Sequence, residues 1–329
     1  MANNPYVNKV QYGNQTLLDL TSDNIVANKL ASGKTAHDAS GNQITGTYDF
    51  AIATAANAIA DDVTEGKTGW ANGVQIIGTK KGIPTWADGT DEEIAEALTK
   101  HYNDEIDLND YWTVGDERVV HLSAIVASSG YSAQPEQDVT LVLVNSGGRT
   151  LTKPINNHTK CAFVVGQKDC LATIWPFIYN SSNYIYGWGS SNIRDKLNSQ
   201  NSAGYLGTLP ATLRSIFKSH VIPYCSTFNS TSISTDNSII GLPARKEIIG
   251  TDDFYDMASS SYNQLAYYKD SSNRTKYLDG SSNDYWTNSK RYYTGTNSSS
   301  KRRIIYITNG VDSATASNTL CGIAPQMVI

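Results

Sequence analysis

The residues of this sequence best suited to recognition chemistry lie in its last third, where tyrosine is mixed with small polar residues. In residues 281–300, fifteen of the twenty positions are Ser, Asn, Thr or Tyr, and over the whole chain Tyr outnumbers Phe by 20 to 6. A tyrosine ring can lie against the C–H face of a sugar while its hydroxyl forms a hydrogen bond, and Ser and Asn supply adaptable hydrogen bonds. We expect this stretch to form a ligand-binding surface, with an ordinary polar surface loop as the alternative.

Residues that could catalyse a reaction form no pattern of a known catalytic type. The histidines are scattered and give neither an H-x-x-x-H pair nor part of a nucleophile elbow; they are His37, His101, His121, His158 and His220. A carboxylate pair for glycoside hydrolysis stays open, because Asp and Glu occur throughout the chain. We expect a protein that is not an enzyme.

Cysteine spacing gives no zinc or redox signature. The four cysteines include no C-x-x-C pair; they are Cys161, Cys170, Cys225 and Cys321. Four cysteines in a chain this long are not a disulfide framework, so we expect free thiols. The acidic residues 91–93 fit a helix N-terminus better than a metal site, and no triplet of the kind found in calcium-dependent lectins is present. We expect no metal and no cofactor.

The charge of the chain argues against nucleic acid as a partner. The formal net charge is -5 and the isoelectric point is near 5.5, which gives no field to attract phosphate backbones. The one basic cluster, residues 301–303, is either a solvated strand edge, which we favour, or a contact for a phosphate-bearing wall polymer. No window holds the roughly 20 apolar residues of a membrane span, and the N-terminus has no signal-peptide pattern. We therefore expect no membrane partner.

The first 80 residues contain an internal repeat. Residues 32–47 (SGKTAHDASGNQITGT) recur as residues 65–79 (EGKTGWANGVQIIGT), and each copy has a central turn glycine. Each predicts a β-hairpin, with residues 40–42 or 71–73 as its turn. Because a unit of about 30 residues buries too little surface to fold alone, such units stack on each other or on symmetry copies. We interpret residues 1–80 as a region of β repeats that act as spacers or assembly elements.

The remaining residues predict a helical junction followed by a larger domain. Residues 81–110 form the junction, with a helix that begins at residues 90–93. Residues 111–329 predict strands at 139–145, 159–166, 303–308 and 326–329 and short helices at 190–198 and 209–218, with loops dominating from 219 to 300. Residues 112–125 predict a further strand pair. The predicted fold class is α+β and mostly β.

Residues 111–329 resemble a family of uncharacterised domains common in phages and in the genomes of Gram-positive gut bacteria. The match covers about two thirds of the chain and is carried by residues 111–118 (YWTVGDER), 142–145 (VLVN), 160–163 (KCAF), 209–218 (LPATLRSIFK), 305–310 (IYITNG) and 322–325 (GIAP). The N-terminal repeats are similar to units of tail and fibre proteins in such phages. One departure is residues 285–290 (YWTNSK), where the family has Trp-Trp-x-Arg-Ser-Pro, so the role of that arginine is not carried over.

The resemblance implies a C-type-lectin-like fold, shared with formylglycine-generating enzymes and with the variable proteins of diversity-generating retroelements. In those variable proteins the exposed variable residues lie in the C-terminal part. Taken with the aromatic composition above, the candidate ligand-binding residues are Tyr285, Trp286, Asn288, Tyr292, Tyr293, Asn297, Asn309, Asp312, Thr315 and Asn318.

The function expected from these observations is a phage virion structural protein, a tail fibre or tail-tip adhesin located in the virion after synthesis in the host cytoplasm. Its partners would be copies of itself, with a trimer preferred, other virion proteins through the repeats, and a host surface glycan or protein. The alternatives are a capsid decoration or head-fibre protein and a bacterial surface adhesin.

Overall fold

The computed structural model describes residues 7–48, 59–71, 74–80, 82–177, 187–225, 233–251, 261–290, 303–316 and 319–329. The chain divides into two compact units, Met1–Gly82 (unit 1) and Ile83–Ile329 (unit 2). Both are built from small sheets, and the fold is mixed and mostly β, as the sequence predicts at this level.

In its described residues, unit 1 contains three antiparallel hairpins. Their strands are β1 (Lys9–Tyr12), β2 (Gln15–Asp19), β3 (Thr35–His37), β4 (Gln43–Thr45), β5 (Thr68–Ala71) and β6 (Val74–Ile77). The β3–β4 and β5–β6 hairpins are the two predicted repeats, and β1–β2 is a third hairpin that the repeat pattern does not reveal. The two repeats also share contacts outside the hairpins. The amide of Thr47 donates to the Ala27 carbonyl at 2.7 Å, and that of Thr79 donates to the Ala60 carbonyl at 2.9 Å.

Each repeat ends in an I-x-G-T motif, residues 44–47 in the first and 76–79 in the second. Close backbone packing requires the glycine of each motif. A Cβ atom added at Gly46 would overlap the carbonyl oxygens of Leu30 and Ala31, and Gly78 has the same surroundings in the second repeat. We expect Gly46→Ala to destabilise the first repeat by about 1–3 kcal/mol, because backbone atoms cannot move aside as a side chain can. Faster amide hydrogen exchange in residues 30–48 would report this, with Gly82→Ala, which has open space around it, as the control.

Unit 1 has no apolar core among its described residues. The only buried residues there are glycines, namely Gly41, Gly46 and Gly78. Large apolar side chains are instead exposed; they are Val7, Val10, Tyr12, Leu17, Leu18, Val26, Tyr48, Ile59 and Ile77. Some apolar side chains are half-buried, among them Leu30, Ile44 and Ile76, so backbone hydrogen bonds and partial side-chain burial together hold the hairpins.

Among its described residues, unit 2 contains five α-helices. They are α1 (Asp91–Tyr102), α2 (Asn192–Asn198), α3 (Tyr205–Thr208), α4 (Ala211–Ile216) and α5 (Arg245–Ile249). Helix α1 begins with the predicted N-terminal signature, a capping box in which the Thr90 hydroxyl accepts from the Glu93 amide and the Glu93 carboxylate accepts from the Thr90 amide. Its apolar face and Trp86 are buried in the core of unit 2. Residues 83–110, predicted as a junction, thus pack as part of this unit.

The strands of unit 2 form two four-stranded sheets and several smaller ones. They are β7 (Glu117–Leu122), β8 (Gln137–Ser146), β9 (Thr150–Ile155), β10 (His158–Lys160), β11 (Phe163–Gln167), β12 (Trp175–Pro176), β13 (His220–Cys225), β14 (Ile233–Ser238), β15 (Lys276–Leu278), β16 (Ser281–Asn283), β17 (Tyr285–Lys290), β18 (Arg303–Thr308), β19 (Val311–Ala316), β20 (Leu320–Cys321) and β21 (Gln326–Val328). The sheet orders are β21-β11-β8-β7, β10-β9-β13-β14 and β17-β18-β19, with pairs β12-β20 and β15-β16.

The central sheet is the part that the sequence predicts best. Strand β11 is buried at every position and lies between β8 and β21, so the C-terminal strand closes the core.

Two expectations were wrong. The predicted strand pair at 112–125 is the single strand β7, whose partner is β8. The predicted loop region 219–300 contains α5 and the strands β13 to β17. Many of these strand residues are polar, so the sequence shows no clear apolar alternation there. Their backbone groups are nevertheless hydrogen-bonded through pairing with neighbouring strands.

Candidate functional site

The aromatic pair at the start of β17 is buried and does not face solvent. Tyr285 is 1% exposed and Trp286 is 0% exposed. The Trp286 indole donates to the Trp175 carbonyl at 2.9 Å, and the Tyr285 hydroxyl donates to the Arg274 carbonyl at 2.8 Å. The expectation that both rings are presented outward is therefore corrected: their polar tips are satisfied by backbone carbonyls inside unit 2, which lets the rings be buried.

Asn288 is also buried, although its polar neighbours suggest a surface strand. It is 3% exposed; its side-chain amide donates to the Tyr262 hydroxyl at 3.0 Å, and its backbone amide donates to the Pro243 carbonyl at 3.0 Å. The adjacent hydroxyls are used in the same way, since Thr287 donates to the Ile305 carbonyl and Ser289 accepts from the Arg245 amide. The expectation of an exposed Asn288 is thus corrected, because these side chains bind internal partners.

Asn309 is exposed, as expected of a ligand contact. It forms the β18–β19 turn with Gly310, and both have positive φ, 46° and 76°. That conformation is typical of a type I′ hairpin turn. The turn packs beside Arg274 and Thr275, which lead into β15. Thr315 lies in β19 opposite Ile304, and its side chain is outside the described part of the structure.

Asp312 forms an ion pair instead of standing free. Its carboxylate oxygens lie 2.9 Å from Nε and 3.1 Å from Nη2 of Arg245, whose side chain is 11% exposed. The contact from Nη2 is a hydrogen bond between charged groups, which is stronger than one between neutral groups. Asp312 therefore neutralises a nearly buried cation, a role that its spacing in the sequence does not suggest.

We expect Asp312→Asn to lower the free energy of unfolding of unit 2 by about 1–3 kcal/mol, because Arg245 then loses its charged acceptor while staying desolvated. Urea denaturation followed by tryptophan fluorescence measures the change. Asp195→Asn is the matched control, since the Asp195 side chain is 73% exposed and exposed ion pairs contribute little. Equal effects of the two substitutions would contradict this role for Asp312.

The remaining predicted contacts, Tyr292, Tyr293, Asn297 and Asn318, lie outside the described residues, as do Lys301 and Arg302. Two neighbouring hairpins, β15–β16 and β18–β19, carry exposed residues that we call the hairpin surface. They are Tyr277, Ser281 and Ser282 of the first and Asn309 and Val311 of the second. Tyr277 is 46% exposed and Val311 is 60% exposed. Both turns carry a sequence signal for type I′ geometry, Asp279-Gly280 and Asn309-Gly310, from which this surface could have been found.

The reactive side chains of the described residues form no nucleophile or metal centre. All four cysteines are free and buried. Burial raises the pKa of Cys161 and Cys170 to about 11 and that of Cys321 to about 12, so the thiolate is scarce near neutral pH. Within the described ranges no group of three or more His, Cys, Asp or Glu side chains is arranged to hold a metal ion.

Comparison of the chain with protein-family models, with curated proteins and with solved structures found no match. Among the helices of the described residues, none has the length and apolar character needed to cross a membrane.

Proposed function

We propose that the protein is a structural component of a phage virion, a fibre or tail-tip adhesin. Unit 1 assembles with copies of itself and attaches to other virion proteins, and unit 2 is a C-type-lectin-like head that binds a host surface glycan or protein. The proposal combines the resemblance of both regions to phage proteins with the physical difference between the two units.

The observation that carries the proposal is the missing core of unit 1. None of its described apolar side chains is buried, whereas nine large ones are exposed, and they occur in or near all three hairpins. Apolar surface gains about 25 cal/mol per Å² when it leaves water, and a small unit that does not bury its own must bury it elsewhere. Copies of the same hairpins supply matching apolar faces, as in other stacked repeats. A trimer is preferred because fibres commonly form trimers.

Unit 2 is suited to the role of a rigid head. Its core is continuous and includes five fully buried tryptophans, namely Trp86, Trp112, Trp175, Trp188 and Trp286. A rigid scaffold that carries polar loops is the usual arrangement of binding proteins. The hairpin surface offers the Tyr277 ring with the Ser282 hydroxyl opposite it, and the Asn309 amide, which suit a sugar or a polar protein surface. Many copies on one particle would multiply weak contacts.

Binding by the fluorescently labelled full chain to whole bacterial cells and to a glycan array tests the adhesin role. We expect binding to cells of the host, and a clear loss of binding by the double variant Tyr292→Ala, Tyr293→Ala with its fold retained. No binding in either assay, or binding unchanged in the variant, would refute a lectin head that uses these tyrosines.

Gold-labelled antibody on intact particles tests the virion role. Label at the tail supports the adhesin, and label distributed over the capsid indicates a decoration or head-fibre protein instead. Absence of the protein from purified particles would contradict both.

A further inference from the structure

A second site lies apart from the hairpin surface, in a cavity of about 250 Å³ beside the β10-β9-β13-β14 sheet. The residues of its lining on which the argument depends are Arg149, Thr150, Lys160, Glu247, Tyr262 and Asn263. Its volume is below the roughly 300–1,000 Å³ typical of sites for drug-sized ligands. The cavity therefore suits a ligand of about one sugar unit and is too small for a folded partner.

The most buried part of this lining is an ion pair. Arg149 Nη2 lies 2.6 Å from Glu247 Oε2, and the two side chains are 5% and 2% exposed. Nη2 also donates to the Gln326 side chain at 3.1 Å, while Nε and Nη1 of Arg149 have no acceptor among the described residues. A buried donor without a partner costs about 1–3 kcal/mol. Such a cost at a residue that lines a cavity calls for an explanation, and a ligand bound there is one.

The charges of the lining favour an anion. Glu247 is satisfied internally, by Arg149 and by the backbone amide of Ala244 at 2.8 Å. Lys160 is exposed, and its ammonium group donates to the Thr150 hydroxyl at 2.7 Å. Arg149 and Glu247 neutralise each other, so the described lining has a net charge of +1, which is carried by the exposed Lys160. A bound oxyanion would supply the negative charge and the acceptor oxygens that the cavity lacks.

The polar part of the lining suits the rest of a sugar. Ser261 and Asn263 line the same cavity at exposed positions, and hydroxyl and amide groups of this kind hydrogen-bond sugar hydroxyls. The ring of Tyr262 lies against the Arg149 guanidinium, with 5.3 Å between the guanidinium carbon and the ring centroid, which fixes the cation in place.

We propose that this cavity binds one sugar unit that bears an oxyanion, a carboxylate or a phosphate of a surface polymer, through the charges of Lys160 and Arg149 and the polar groups around them. This assignment adds a ligand class to the proposed function. It depends on that function only for the expectation that the ligand comes from a host surface polymer.

Calorimetric titration of the full chain with three probes tests the site: a galacturonic acid oligosaccharide, a glycerol phosphate oligomer and a neutral galactose oligosaccharide. We expect binding of the carboxylate probe, the phosphate probe or both, at least tenfold tighter than the neutral probe and weakened by added salt. Which acid binds identifies the carboxylate or the phosphate source. Failure of both acids to bind, or equal binding of the neutral probe, would overturn the assignment.

Two variants locate the binding at this cavity. Lys160→Glu reverses an exposed charge without disturbing the buried pair, and we expect it to weaken binding of the acidic probe about tenfold or more. Lys153→Glu changes an exposed lysine of the neighbouring strand β9 that does not line the cavity, and is expected to leave binding within about twofold. Asn263→Trp, which places a bulky ring in the lining at an exposed position, is expected to reduce binding of every probe. Equal effects of the two lysine variants would contradict the site.

The outcomes for cell adhesion are separate. If Lys160→Glu keeps both the cell binding and the acidic-probe binding of the parent chain, the assignment of this cavity is overturned and the adhesin proposal stands. Binding of soluble acidic sugar by a chain that binds no cells would support the cavity and refute the adhesin.

Discussion

Replacing Trp286 by alanine is expected to lower the free energy of unfolding of unit 2 by about 3–5 kcal/mol, the usual cost of removing a large buried aromatic side chain. Trp286 is 0% exposed and packs on Phe177 and Tyr306, with ring centroids 5.9 and 6.3 Å apart. Truncation leaves a cavity and removes the donor to the Trp175 carbonyl. Urea denaturation followed by far-ultraviolet circular dichroism measures the loss.

Tyr277→Ala is the matched control, because that ring is 46% exposed on the hairpin surface. We expect its stability to stay within about 0.5 kcal/mol of the parent protein. If Trp286→Ala folded with parental stability and lost only ligand binding, Trp286 would be a surface contact and the burial described above would be wrong.

Acidification is expected to destabilise unit 2 between about pH 6.5 and pH 3, because His220 is buried in its neutral form. Burial and the nearby Arg149 charge lower the pKa of His220 to about 3, against about 6.5 in an unfolded chain. Above pH 6.5 the residue is neutral in both states and contributes no pH dependence. As the pH falls below 6.5, His220 becomes protonated in the unfolded chain but stays neutral in the folded chain. The free energy of unfolding therefore declines until the pH reaches the pKa of His220 in the folded chain.

The difference between the pKa of His220 in the unfolded and folded chains corresponds to a loss of roughly 5 kcal/mol in the free energy of unfolding, at about 1.36 kcal/mol per pKa unit. Burial raises the pKa of Glu247 above its ordinary value of 4.5, and proton uptake by the folded chain above about pH 4.5 opposes this loss. Comparison of the parent protein with His220→Gln isolates the histidine. We expect the variant to show a shallower decline of the free energy of unfolding from pH 6.5 to pH 4, and parallel curves for the two proteins would contradict the assignment.

Sequence patterns predict the parts of this fold in which local and global preferences agree. The capping box at Thr90, the buried run of β11 and the two hairpin repeats follow from residue types at fixed spacing. The prediction fails at strand β17 for a physical reason. Its Thr287, Asn288 and Ser289 side chains have a surface composition, but their hydrogen bonds go to internal partners that the sequence does not identify.

The cavity proposed as an oxyanion site could not be found from the sequence. Arg149 and Glu247 are 98 positions apart, and no sequence pattern pairs the two residues. Their pairing depends on the approach of α5 to the loop before β9, a tertiary event. Composition therefore placed the recognition residues near β17, whereas the geometry buries three of them and leaves the turns nearby exposed.

Sedimentation equilibrium of the full chain over a hundredfold range of concentration tests most directly whether unit 1 is completed by copies of itself. The account predicts a mass that is a multiple of the 35.8 kDa chain, with three copies preferred, and amide protection in residues 7–48 that is lost on dilution to the monomer. A 35.8 kDa monomer at every concentration, with those amides still protected, would contradict it.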